Sequence, residues 1–75
     1  MNLNEVKLNT CCVVKVVNIL DEPTKIRIME LGFITNVKII VKNRSILKKT
    51  LLISFNNSCF IIKESVAKNI EVVYA

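Results

Sequence analysis

The sequence contains no histidine and no tryptophan, a single glycine and a single proline. Each scarcity excludes something. Without histidine, the side chain best suited to move protons near neutral pH is missing. Ser54, Ser58 and Cys59 have no base beside them, so nucleophilic catalysis has no partner for them. One glycine cannot build the glycine-rich loop that cradles nucleotide phosphates. The aromatic residues Phe33, Phe55, Phe60 and Tyr74 fall mostly at core-type positions, too few for the aromatic groove that grips proline-rich peptides. No enzyme is expected.

Long apolar runs are also missing. Val16-Val17 and Leu51-Leu52-Ile53 are broken within a few residues by Lys, Asn or Ser, whereas a membrane-spanning helix needs roughly 20 apolar residues. The opening Met1-Asn2-Leu3-Asn4-Glu5 lacks the basic-then-apolar layout of a signal peptide, so a cytoplasmic protein is expected. The three cysteines, Cys11, Cys12 and Cys59, form no disulfide framework. They are expected to serve as small apolar residues. Neighbouring cysteines on a strand point to opposite faces, which works against one thiolate metal site using both.

Acidic residues are absent between Glu30 and Glu64, while Lys38, Lys42, Arg44, Lys48, Lys49 and Lys63 fall in that interval. The net charge of +5 is therefore concentrated on one face or hairpin. Lysines of this kind blunt an exposed strand edge. They also suit an acidic partner, an anionic leaflet or nucleic acid.

With 75 residues there is one domain, which buries roughly 60% of the surface of its unfolded chain. The apolar half of the composition supplies its core. Residues 1–9 read as a lead-in in which Leu3, Val6 and Leu8 are available to pack. Cys11 to Ile19 reads as a strand, with Cys12, Val14 and Val16 on one face and Val13, Lys15 and Val17 on the wetter one. Asp21-Glu22-Pro23 marks a helix start: an acidic cap, then a proline in the first turn.

That helix runs to Leu31 and stops at Gly32, the residue that enters a left-handed conformation without a Cβ clash. At about 100° per residue, Thr24, Ile28 and Leu31 share one side. Ile26 and Met29 lie nearly opposite, and Phe33 follows them if the helical turn continues. The second apolar side is either covered by residues 1–9 or free to bind another molecule.

Next comes a strand from Val37 to Lys42, with Val37, Ile39 and Val41 on one face, and a polar hairpin loop from Asn43 to Lys49. Thr50 to Phe55 and Ser58 to Lys63 read as strands joined by the tight turn Asn56-Asn57. Glu64 to Asn69 holds one helical turn, and Ile70 to Tyr74 closes as a strand. The expected fold is mainly β: a small five-stranded barrel, one short α-helix after the first strand, and a single helical turn before the last. Closure would remove hydrophobic strand edges.

Arg27-Ile28-Met29-Glu30-Leu31-Gly32-Phe33-Ile34, then Val37-Lys38-Ile39-Ile40, then Phe60-Ile61-Ile62-Lys63, Glu64-Ser65-Val66-Ala67 and Ile70-Glu71-Val72 together resemble the FeoA family, ferrous iron transport protein A of bacteria. The likeness covers roughly residues 8 to 74, and order and spacing carry it. Three features depart from the family pattern, one of them the loop Arg44 to Lys49, which lacks the usual glycine and proline. Asn36 stands where members usually carry glycine, and asparagine is the next best residue for left-handed geometry. The family's glycine before the first strand is missing near Thr10-Cys11.

The resemblance implies an SH3-like barrel with the helix packed over its rim, and a cytoplasmic accessory of ferrous iron uptake. Its partner would be the membrane transporter FeoB, with its cytosolic GTP-binding domain. It also implies kinship with the C-terminal domains of metal-dependent repressors, hence the question of Fe²⁺ or another transition metal; no cofactor is expected from the residues themselves.

On this reading Ile26, Met29 and Phe33 anchor a partner, Arg27 orients it, and Lys42, Arg44, Lys48 and Lys49 steer it. Gly32, Asn36 and Pro23 are structural. The hairpin would steer towards acidic protein or the inner leaflet, the protein would be cytoplasmic and peripheral at the inner membrane through its partner, and its two-faced helix also allows self-association. One alternative is a small basic barrel binding nucleic acid, against which stands the lack of stacking aromatics beside Lys42–Lys49. The other is a metal sensor or chaperone, which needs converging oxygen or nitrogen ligands.

Overall fold

A computed structural model describes the whole chain, residues 1–75. A 3₁₀ turn, Leu3–Glu5, is followed by β1 (Cys11–Val17), α1 (Glu22–Glu30), β2 (Lys38–Ser45), β3 (Thr50–Phe55), β4 (Ser58–Lys63), α2 (Glu64–Ala67) and β5 (Ile70–Tyr74). All strands pair antiparallel in one sheet of order β4-β3-β2-β1-β5. The mainly β class and the order of elements are as expected. β1 ends earlier than Ile19, and β2 runs on to Ser45, so the loop contracts to four residues, Ile46 to Lys49.

Closure is corrected. β4 and β5 are the two edges of the sheet and do not pair with each other. The chain passes from the end of β4 to the start of β5 through α2 and little else. In a flat sheet those edges would stand roughly 19 Å apart, four spacings of ~4.8 Å. One helical turn rises only about 6 Å, so the sheet must bend until α2 spans the seam. Ala67 is wholly buried there, where a larger side chain would force the seam apart.

Two bulges produce part of that bend. In β1, Val14 pairs with Val72 but Val16 with Glu71, which leaves Lys15 as the extra residue. In β2, Val41 pairs with Ile53 but Asn43 with Leu52, which leaves Lys42 as the extra. A bulge adds twist and inverts the inward–outward alternation beyond it. The β3–β4 hairpin turns on Asn56 and Asn57, both at positive φ (52° and 63°), as its two-residue loop requires.

Helix α1 begins at the cap Asp21, whose carboxylate accepts from the Thr24 backbone N–H (3.2 Å) and from the Thr24 hydroxyl. Pro23 lies in the first turn. At the other end Gly32 takes φ +89°. Its N–H donates to the Met29 carbonyl (2.9 Å), and the Phe33 N–H donates to the Ile28 carbonyl (3.1 Å). This paired pattern is the Schellman stop, which brings the second residue past the helix back onto its last turn. Asn36 holds φ +73°, so it does the work of the family's glycine.

The core is fifteen buried residues, all apolar. At one end Phe33, Phe55 and Phe60 meet edge to face, with centroids 5.7 to 6.3 Å apart, the favoured geometry for aromatic pairs. Residues 1–9 belong to the body of the fold. Leu3 and Val6 are buried, although Leu8 stays 41% exposed. The Val72 N–H donates to the Met1 carbonyl and the Asn9 N–H to the Val41 carbonyl, both at 2.8 Å. The Lys7 N–H donates to the Tyr74 hydroxyl (3.0 Å).

Candidate partner-binding surface

Of the nine residues of α1 only Ile28 is buried. Ile26 and Met29 are 51% and 50% exposed. The first residues of the chain pack against β5 and α2 instead of covering them. The choice left open by the sequence is thereby decided: the second apolar side of α1 faces outward.

Phe33 is corrected. Expected beside Ile26 and Met29 as a surface anchor, it has no exposed area, because the left-handed Gly32 ends the helical period and folds the next residue inward. Its place in the patch is taken by Val16 and Ile34, 44% and 47% exposed. Together with Met29 they line an open depression of about 280 Å³ whose floor is Phe33. Val16 was expected on the core face with Cys12 and Val14; the Lys15 bulge turns it outward. Lys15, on the rim of the same depression, adds a cation to the apolar surface.

On the other flank of α1, Arg27, Ile28 and Leu31 form a groove of about 230 Å³ against Phe60, Ile62 and Lys63 of β4. Arg27 therefore faces Lys63 across the groove and does not sit in the Ile26–Met29 patch. Lys63 also lines the next concavity, with Lys48, Lys49 and Lys68. A cationic track thus runs from the helix to the β2–β3 hairpin. Lys42 stands apart from it, exposed on the β2 bulge.

Arg44 is corrected as well. The Lys42 bulge brings it opposite Leu51, whose side chain is buried, so Arg44 rises from the inner face of β2. It is half-buried, and its guanidinium donates to the Val6 carbonyl at 2.9 Å. It ties down the N-terminal segment and is not a free steering charge.

The cysteines do not converge. Cys11 is half-buried, Cys12 buried and Cys59 exposed. Cys11 and Cys12 lie on β1 and Cys59 on β4, with β2 and β3 between them in the sheet. Burial, and secondarily the neighbouring Cys11, push the Cys12 thiol up to about 11, the mark of an inert core thiol. No three Cys, Asp or Glu side chains come together in metal-binding proximity.

The FeoA domain model matches residues 1–74. Among solved structures, the FeoA protein of Chlorobium tepidum superposes with a TM-score of 0.89 at 23% identity, over 99% of this chain and 70% of that one. The zinc complex of Stenotrophomonas maltophilia FeoA gives 0.83 at 28% identity, over 97% and 89%. That protein is described as an SH3 domain protein and a candidate activating factor of ferrous iron transport. The metal-dependent transcriptional regulator MtsR gives 0.82 at 15% identity, with all of this chain matching 36% of the regulator. No curated protein matches the sequence.

Proposed function

The chain belongs to the FeoA domain family, and from that premise we propose that it serves ferrous iron uptake without catalysis, by docking on the cytosolic part of a FeoB-type membrane transporter. The observation that supports this most is the outward apolar side of α1. Ile26 and Met29 are held at half exposure by a helix with one buried residue, and Val16 and Ile34 extend the patch across the end of β1. A small domain gains nothing in its own stability from such a surface, whereas a partner that covers it gains the burial.

Lys15 at its rim, and Arg27 on the other flank of the helix, would orient an acidic counterpart. The protein would work in the cytoplasm, at the membrane that holds its transporter. No helix is long and apolar enough to cross a membrane.

The zinc of the Stenotrophomonas protein is not carried over. The side chains that would hold a metal do not converge in this chain, and no step is assigned to one.

The test is titration of the purified cytosolic domain of the transporter with the full chain. Met29→Asp places a charge in the centre of the patch and is expected to weaken binding about tenfold or more. Unchanged affinity would remove this surface from the interface. Binding is also expected to weaken as salt rises through the Debye regime.

A further inference from the structure

The β2–β3 hairpin ends in a feature that docking through α1 does not use. Ile46 is 85% exposed and Leu47 97% exposed. They are adjacent, at the apex of the four-residue loop between Ser45 and Thr50, which pair as the last rung. The loop is a built turn. The Lys48 N–H donates to the Ser45 hydroxyl (3.3 Å), and Lys49 holds φ +52°. Two aliphatic side chains are therefore presented to solvent by an ordered tip that has no core behind it.

Directly behind the apex the surface is cationic. Lys48 and Lys49 share a concavity with Lys63 and Lys68, in which Glu64 is the only acid. Glu64 is already engaged by Lys68 at 3.8 Å, so Lys48, Lys49 and Lys63 are uncompensated. An aliphatic point with a basic collar fits one environment best, the interface of an anionic bilayer. There the apolar tip reaches the acyl boundary and the ammonium groups stay among the phosphates. Nucleic acid would meet the collar but has no use for fully exposed aliphatic side chains, and no aromatic stands at the tip for bases to stack on.

We infer that the Ile46-Leu47 tip of the β2–β3 hairpin inserts into the headgroup region of an anionic phospholipid bilayer, held there by Lys48, Lys49 and Lys63. The contact is made by this chain itself and needs no transporter. It leaves the outer side of α1, built from other elements, free for a protein partner.

The experiment is co-sedimentation of the full chain with vesicles of phosphatidylcholine alone and of phosphatidylcholine containing about one third phosphatidylglycerol. Binding is expected only to the anionic vesicles, and it should fall steeply with added salt. The double variant Ile46→Ser, Leu47→Ser keeps every charge and changes two exposed side chains, so it folds; it is expected to lose about tenfold or more of that binding. The chain has no tryptophan, so Leu47→Trp gives a single reporter. Its emission should shift to the blue, and brominated lipids should quench it. Absence of binding to anionic vesicles overturns the inference. So does serine-variant binding equal to wild type, which would mean charge alone, or single-stranded RNA bound as tightly as the vesicles in the same buffer.

Discussion

Gly32 faces the ring of Phe55: a Cβ built on it would stand 3.3 Å from the Phe55 Cζ, on a backbone at φ +89°. Two separate penalties meet at one residue. The left-handed conformation costs a side-chain-bearing residue about 1 to 2 kcal/mol, and the ring must also give way, in a cluster where Phe33 and Phe60 already fix it edge to face. Gly32→Ala is expected to lower stability by about 2 kcal/mol, read as a lower urea midpoint with an unchanged slope. Asn36→Gly, at φ +73°, should be neutral or mildly stabilising, because there only the backbone conformation is at stake.

Arg44 gives a prediction that separates tether from steering. Its guanidinium donates to the Val6 carbonyl, and losing a hydrogen bond from a charged group costs about 1.5 to 3 kcal/mol. Arg44→Met should destabilise within that range, by an amount that barely depends on salt, since a neutral carbonyl is the acceptor. Lys48→Ala, on the exposed hairpin, should change stability by less than about 0.5 kcal/mol. Urea melts at low and high salt distinguish the two roles.

Much of the fold was legible because single residues carried it. Asp21 and Gly32 bracket α1, and Asn56-Asn57 sets the β3–β4 register through two positive φ angles. The site was less legible for a physical reason common to Val16 and Arg44. Each lies just past a bulge: for Val16 a strict period of two gives the wrong face, and for Arg44 ending the strand at Lys42 puts the residue in the hairpin loop. Nothing in Lys15 or Lys42 announces an extra residue; only the pairing with β5 and β3 reveals it. Phe33 differs, because its burial was available from the sequence. Once Gly32 is given a left-handed turn, the next residue folds back onto the last turn of the helix, and the apolar pair Ile28 and Phe33 occupies the two positions that touch in a Schellman stop. Extending the helical period through Gly32 lost that signal.

The thiols predict both reactivity and a pH slope. Cys59 is exposed and Cys12 buried, so a disulfide reagent at neutral pH should label Cys59 first and Cys12 only on unfolding. The Cys12 thiol lies at about 11 against an ordinary 9.0, raised first by burial and then by Cys11. The unfolded chain therefore gives up this proton at lower pH than the folded one. Its contribution is complete below pH 9 and declines as pH rises toward 11. Cys12→Ala should remove that share of the alkaline loss, measured as the difference between the two pH–stability curves, whatever its cost in packing at neutral pH.

Phe33 and Met29 line the same depression, one wholly buried and the other half-exposed, and the difference decides how interface experiments must be read. Phe33 is wholly buried between two rings. Phe33→Ala should cost about 3 to 5 kcal/mol, a large part of the 5 to 15 kcal/mol that holds a typical domain together. A binding defect in that variant would report unfolding. Met29→Asp replaces a half-exposed side chain and should shift the midpoint by less than about 1 kcal/mol. The two variants are expected to separate cleanly: thermal unfolding at low temperature for Phe33→Ala, and a native melting curve with weakened transporter binding for Met29→Asp. A Met29→Asp melt as low as that of Phe33→Ala would mean that the outer side of α1 is held by the fold itself and is not available to a partner.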